Sequence, residues 1–298
     1  LKRQFNMLLV NAFASRSFRG NTTGVVIADD LSTGEMQNIA RDLNQTETVF
    51  VEKLDRERYK TRFFTPKREL KLCGHATIAT FYSLAEQGYI TAEESGTKTI
   101  IQHTDSGKIN VEIIYKDGKV ESVYMYMTDL AFEKTDVKSD LAKALGIKES
   151  DIGLSNYDVE PKYVRCGSSS LVVPVKTKEI LENIKLDRAL AEKLSKDLEV
   201  VSIQVFTSED GEEIFQRTFS PAIGIDEEMA SGTSTGATLY YLVKEKINKT
   251  NLSTHIQGLE AGRESNLSAK FCPDDGIIGR IKVGGRAYVF LNGVLNIQ

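Results

Sequence analysis

The sequence has no tryptophan, three cysteines, three histidines and five prolines among its 298 residues. So few cysteines, in an odd number, exclude a disulfide framework and suit a reducing compartment. Three histidines leave little room for an all-histidine metal cage. Scarce proline, with no Gly/Ser-rich stretch, means that any two domains are joined without a long tether. No run approaches the ~20 apolar residues of a membrane span. The apolar run Met7–Val10 is too short for a secretory core, so Leu1–Phe13 is read as a first strand and the chain is expected to be cytoplasmic. Nor is there an excess of positive charge: Lys plus Arg is 38 against 42 for Asp plus Glu, a net charge of −4, which argues against nucleic acid as a partner.

What is present is an ordinary globular composition, with 41% hydrophobic and 27% charged residues. Asp117-Gly118, Asp210-Gly211 and Gly284-Gly285 each separate β-rich runs and predict hairpins. Ser32 with Glu35 forms a capping box before Met36, Ile39, Ala40 and Leu43, and Leu190, Ala191, Leu194 and Leu198 also recur at helical spacing. The class is α+β.

Leu72–Ala85 and Met229–Val243 contain no charged residue. A helix without a polar face is buried on every side, so each segment predicts a central helix wrapped by sheet. The two segments also match. Gly74–Leu84 aligns with Gly232–Leu242, identical at six of eleven positions. Upstream, Arg62-Phe63-Phe64-Thr65-Pro66 matches Arg217-Thr218-Phe219-Ser220-Pro221, with three extra residues before the glycine in the second copy. Gly20 with Val25 and Val26 matches Gly167 with Val172 and Val173. Two copies of one design predict a pseudo-twofold pair of domains, and the cleft between them becomes the default ligand site.

The starts of the two central helices are the first candidates for chemistry. Cys73-Gly74-His75 and Ser231-Gly232-Thr233 offer backbone N–H groups, a positive helix end and small residues, which suit a substrate carboxylate. Helix capping alone also accounts for Ser231, Thr233 and Thr235. Cys73 reads either as a small buried hydrophobe or as a nucleophile or base whose thiol is activated by the helix end. Its counterpart is Ser231, which cannot complete a symmetric thiol pair. His75 is the histidine set in a motif, whereas His103 and His255 lie in polar or strand contexts. Glu47 stands where a helix gives way to a strand, at the edge of a core, where a carboxylate can exchange protons near neutral pH. Asp226, Glu227 and Glu228 precede the second helix and would face the cleft. There is no phosphate loop, no dinucleotide fingerprint, no metal-ligand histidine pair and no Cys-x-x-Cys, so the expected reaction uses neither cofactor nor metal.

These residues resemble the PhzF-like (phenazine biosynthesis) family, within the diaminopimelate epimerase-like fold. The likeness rests on Phe18-Arg19-Gly20-Asn21, Leu43-Asn44-x-Thr46-Glu47-Thr48-x-Phe50, Phe64-Thr65-Pro66 with Glu69-Leu70, and Cys73-Gly74-His75-Ala76-Thr77. It continues through Arg217-x-Phe219-Ser220-Pro221, Gly232-Thr233, Gln257-Gly258, Gly262-Arg263-x-Ser265 and Val283-Gly284-Gly285, and so spans nearly the whole chain. The resemblance implies two domains, 1–128 joined by a last strand at about 285–298, and 129–284. Each is implied to be a curled sheet round a central helix. It also implies a homodimer and a proton-shifting isomerase acting on a small carboxylate-bearing substrate. In that reading Glu47 is the acid/base, His75 and Glu228 orient the substrate or relay the proton, and Gly74, Gly232 and Thr233, flanked by Cys73 and Ser231, hold the carboxylate. The sequence departs from the family in the box before the second helix, usually Glu-Asp-Pro-x-Thr-Gly-Ser and here Glu227-Glu228-Met229-Ala230-Ser231-Gly232-Thr233. Glu228 takes the aspartate position with one more methylene, and the proline is lost. Two other readings stay open: an amino-acid racemase or epimerase using Cys73, and a non-catalytic binding protein on this scaffold.

Overall fold

The computed structural model describes residues 2–127, 129–274 and 277–298. The chain forms two compact units, Leu1–Tyr126 with Gly284–Gln298, and Met127–Val283. The boundary expected at residue 128 falls on Thr128, outside the described residues.

In the first unit the strands lie in the order Ala287–Ile297, Arg3–Ala12, Asn21–Ile27, Glu47–Lys53, Arg58–Phe64, Gly96–Thr104, Gly107–Lys116 and Lys119–Met127. Pairing is antiparallel except at two places, Thr23↔Glu47 and Arg58↔Ile101, where a helix makes the crossover. The second of those helices, Gly74–Glu86, is buried from His75 to Ala85 and packs against the concave face of this sheet, from Ala287–Ile297 to Gly107–Lys116. From Ala76 to Ala85 the helix carries no charged side chain, so strands can pack on every side of it, and the charged Glu86 stands at its exposed end. The other helix, Thr33–Leu43, carries the expected capping box, with Glu35 N donating to Ser32 Oγ and Ser32 N to Glu35. Its apolar face packs on Phe5, Met7, Val26, Phe50 and Phe64.

The second unit repeats the plan. Leu130–Lys134, Lys162–Cys166, Ser168–Pro174, Ser202–Thr207, Glu213–Ser220, Leu252–Gln257 and Ser265–Asp274 follow one another with the same sequence of parallel and antiparallel steps. Its central helix is Gly232–Lys244, packed so closely that a Cβ on Gly236 would stand 2.7 Å from Cys166 Sγ. Gly20 and Gly167 share a left-handed backbone, at φ 71° and 73°, which explains why both copies keep glycine there.

Two hairpins form as expected. Asp117 and Gly118 both take positive φ between Lys116 and Lys119, the twist a two-residue turn needs. Asp210-Gly211 joins the strands that pair Thr207 with Phe215. Gly284-Gly285 does not close a hairpin. The strand after it pairs with Arg3–Ala12, from Ala12↔Ala287 to Arg3↔Ile297, and the chain returns to the first unit at Gly284. Gly284 is needed for closeness instead, since a Cβ there would lie 2.0 Å from the Val123 carbonyl oxygen. The helix expected around Leu190 to Leu198 runs Arg188–Asp197 and buries Ala191 and Leu194, but Leu190 is exposed. Asp187 caps it, its Oδ1 accepting from Leu190 N.

Candidate active site

The Thr33–Leu43 helix stops at Asn44, whose left-handed φ of 48° and N–H bond to the Ala40 carbonyl form a C-cap. Three residues later the chain is in the sheet, and Glu47 is the first residue of its strand, beside Thr23. Glu47 is only 5% exposed. The Arg58–Phe64 strand and the Thr65 turn then lead to Cys73, the extended N-cap of the central helix, and His75 in its first turn. Three side chains that are 28 residues apart at most thus converge: His75 Nε2 lies 2.8 Å from Glu47 Oε2, and Cys73 Sγ lies 3.4 Å from His75 Nδ1. The Nε2–Oε2 approach is close but poorly aligned, because Glu47 Oε2 is buried with no hydrogen bond of good geometry.

Burial disfavours the charged form of His75, but the Cys73 sulfur and the Glu47 carboxylate outweigh it and hold the imidazolium well above its usual range. Burial and the Glu47 charge push the Cys73 thiol up, with His75 only partly offsetting them. Cys73 therefore keeps its proton at neutral pH.

Neither Cys73 nor Ser231 caps its helix with its side chain. The reading of Ser231 as a cap is corrected: its Oγ donates to Ser234 Oγ at 3.1 Å. The strand registers define the counterparts of the first unit's site. Thr48 pairs with Phe64 and Ile203 with Phe219, which places Ser202 where Glu47 stands. Ser231 and Thr233 replace Cys73 and His75. The second copy is accordingly a hydroxyl network, Ser170 to Ser202 at 2.8 Å and Ser202 to Ser234 at 3.0 Å, with no titratable group in it.

The acidic cluster before the second helix divides. Glu227 makes a two-pronged bridge to the buried Arg217, 2.8 Å on each arm, and Asp226 pairs with Arg188 at 3.1 Å. Arg62 and Glu69 form the same bridge in the first unit, 2.7 Å on each arm. The partners are seven residues apart there and ten in the second copy, a difference equal to the three-residue insertion. The repeat alignment therefore held the signal that Glu227 belongs to the scaffold. Glu228 remains, its Oε1 accepting from Ser220 Oγ at 2.6 Å.

One residue without a sequence-derived role holds this segment. Gln257 Nε2 donates to the Glu228 carbonyl at 2.8 Å and to Thr218 Oγ1 at 3.1 Å, and its Oε1 accepts from Ser231 N at 3.2 Å. Behind it, His255 Nδ1 donates to Gln216 Oε1 at 2.7 Å, and Gln216 Nε2 donates to Gln257 Oε1 at 2.8 Å. The Gln257-Gly258 motif was the only sign of it in the sequence.

The chain matches the model of the phenazine biosynthesis-like protein family, PhzC-PhzF, over residues 10–293. It is 32% identical to an uncharacterized isomerase of Clostridium acetobutylicum, covering 98% of both chains. It is 28% identical to trans-2,3-dihydro-3-hydroxyanthranilate isomerase of Pseudomonas aeruginosa, covering 96% of this chain and 97% of that one. Among solved structures, a PhzF-family phenazine biosynthesis protein of Bacillus anthracis superposes with a TM-score of 0.85 at 26% identity, over 99% of both chains. A hydroxyproline epimerase of Agrobacterium vitis, at 12% identity and a TM-score of 0.61, shares the fold, over 99% of this chain and 93% of that one. Fold and relatives together define an enzyme of the isomerase class with an epimerase-like α+β architecture. The chain belongs to the phenazine biosynthesis-like protein family.

Proposed function

We propose that the chain is a cofactor-independent isomerase that shifts a proton on a small carboxylate-bearing substrate, with Glu47 as the acid/base. The observation that carries this reading is Glu47 Oε2, a buried carboxylate oxygen with no aligned hydrogen bond, beside a histidine at an uncapped helix start. Its lone pairs are uncommitted, so it can take a proton from a carbon next to an activating group and return it elsewhere. His75 fixes the carboxylate and balances its charge. The first-turn amides from Gly74 onward stabilise the negative charge that develops on the substrate. The same reading gives Glu228 a share in the proton relay, and gives Gly232, Thr233 and Ser231, with Cys73, a share in holding the carboxylate.

The racemase alternative needs Cys73 as a base. A thiol pushed up by burial and paired in the repeat with Ser231 weighs against it. The proposal includes a cytoplasmic homodimer. Support for the dimer comes from the last strand, where Tyr288, Phe290, Leu291 and Val294 are exposed and Phe18 rests on Phe290; sedimentation velocity checks it.

The test is solvent-deuterium exchange into a panel of small carboxylates that includes trans-2,3-dihydro-3-hydroxyanthranilate. The wild-type chain should exchange at least one of them, and Glu47→Gln should lower that rate by about 10²–10⁴-fold with the fold intact. Exchange at the wild-type rate in Glu47→Gln overturns the assignment.

A further inference from the structure

We propose that Glu47, Cys73 and His75 together bind one zinc-class divalent cation. Each offers one ligand atom of a different kind, carboxylate oxygen, sulfur and imidazole nitrogen, these atoms lie within 4.8 Å of one another, and the ion on binding would displace the Cys73 thiol proton and the His75 imidazolium proton to solvent. Among the described residues no other group of three does so. Sulfur and imidazole together select zinc-class ions over magnesium or calcium.

The spacing fits such an ion. With bonds of about 2.0–2.3 Å, tetrahedral ligand atoms stand roughly 3.3–3.7 Å apart. Sulfur to Nδ1 is 3.4 Å, sulfur to Nε2 is 4.0 Å and Nε2 to Oε2 is 2.8 Å, the two Nε2 distances each about half an ångström from that spacing, and the sulfur lies within 4.8 Å of the carboxylate oxygen. Independent support comes from Glu47 itself. It is 95% buried by its 5% exposure, yet Oε2 has no aligned hydrogen bond although a ring nitrogen is 2.8 Å away. Two polar atoms that are close without being aimed at each other are arranged as ligands of a third. Three protein ligands leave the fourth position of a tetrahedral ion to water.

Cys73 and His75 flank one glycine at a helix start, and Glu47 arrives from a strand. A search for histidine pairs or Cys-x-x-Cys therefore passes over the set. The binding claim stands on this geometry alone. The consequence that a bound ion blocks proton transfer, by taking the Glu47 lone pair, rests on the acid/base reading above.

The experiment titrates the metal-free full-length chain with cobalt(II) and follows the near-ultraviolet sulfur-to-cobalt charge-transfer band. One equivalent should saturate the band, and zinc should displace it. Cys73→Ser should lose the band, and His75→Gln and Glu47→Gln should each weaken zinc binding by at least about tenfold. Cys272→Ser should leave both unchanged, with circular dichroism confirming that every variant folds. No band in the wild-type chain, or a band that survives Cys73→Ser, overturns the proposal. If cobalt binds as expected while zinc leaves exchange untouched, the metal site stands and the acid/base reading of Glu47 falls. If nothing binds while Glu47→Gln abolishes exchange, the reading stands and the metal site falls.

Discussion

His255 makes the second unit acid-sensitive. It is fully buried, its Nδ1–H donates to Gln216 and its Nε2 accepts from Ser253 at 2.7 Å, so the neutral ring is fully satisfied. Burial alone lowers its pKa to about 3. An unfolded histidine titrates near 6.5. Above pH 6.5 neither state binds the proton and the full stability is present. As the pH falls from 6.5 toward 3, the unfolded chain takes up a proton that the folded chain refuses, and stability is lost. Each pH unit costs about 1.4 kcal/mol, so at pH 5 the loss from this one residue is about 2 kcal/mol. The matched perturbation is His255→Gln, because the register of the first unit places Gln102 at the equivalent position, bonded to Thr61 and Thr77. A carboxamide there still offers a donor to Gln216 and an acceptor to Ser253. His75 is raised rather than lowered, and so favours the folded state at low pH, but it contributes equally to both proteins and cancels in the comparison. Urea unfolding of wild-type and His255→Gln protein from pH 7.5 to 5 should show the difference in stability shifting by about 2 kcal/mol in favour of His255→Gln at the acid end. Parallel profiles would refute the assignment of a neutral, unprotonated His255.

Arg217→Met should cost about 3–5 kcal/mol, since it strands Glu227 and two backbone carbonyls, those of Glu182 and Ile184. The same change at the more exposed Arg62 should cost only ~1 kcal/mol, and urea midpoints that reverse this order would sink the argument. Gly284→Ala should destabilise by about 1–3 kcal/mol by forcing the Val123 backbone away, whereas Gly34→Ala, with nothing within 4 Å, should leave the melting temperature unchanged or slightly higher. Cys73, a thiol held up by burial and by Glu47, should alkylate slowly at pH 7 and faster as the pH passes the ordinary thiol range; mass spectrometry of iodoacetamide-treated protein measures this, and fast labelling at pH 7 would restore the thiolate reading.

The sequence determined the two central helices because an absence of charge over helical length has one physical reading, complete burial. It determined the duplication because the Arg-x-Phe-Ser/Thr-Pro and helix-start segments survive in both halves. Local rules also fixed the capping box at Ser32 and the turn at Asp117-Gly118, where the interacting groups are neighbours along the chain. Glu47, Cys73 and His75 could each be singled out as candidates by their place in a helix–strand joint or helix start. Tertiary structure alone decided what those residues do to one another. The 2.8 Å approach of Glu47 to His75 depends on the parallel Thr23↔Glu47 register and on where the sheet closes round the helix, neither of which is written in local spacing. It likewise decided that Gly284-Gly285 hands the chain back to the first unit and that His255, unremarkable in the sequence, is a buried neutral ring. Side-chain charge and hydrogen bonding act over a few ångströms of space, and only the fold sets which residues share those few ångströms.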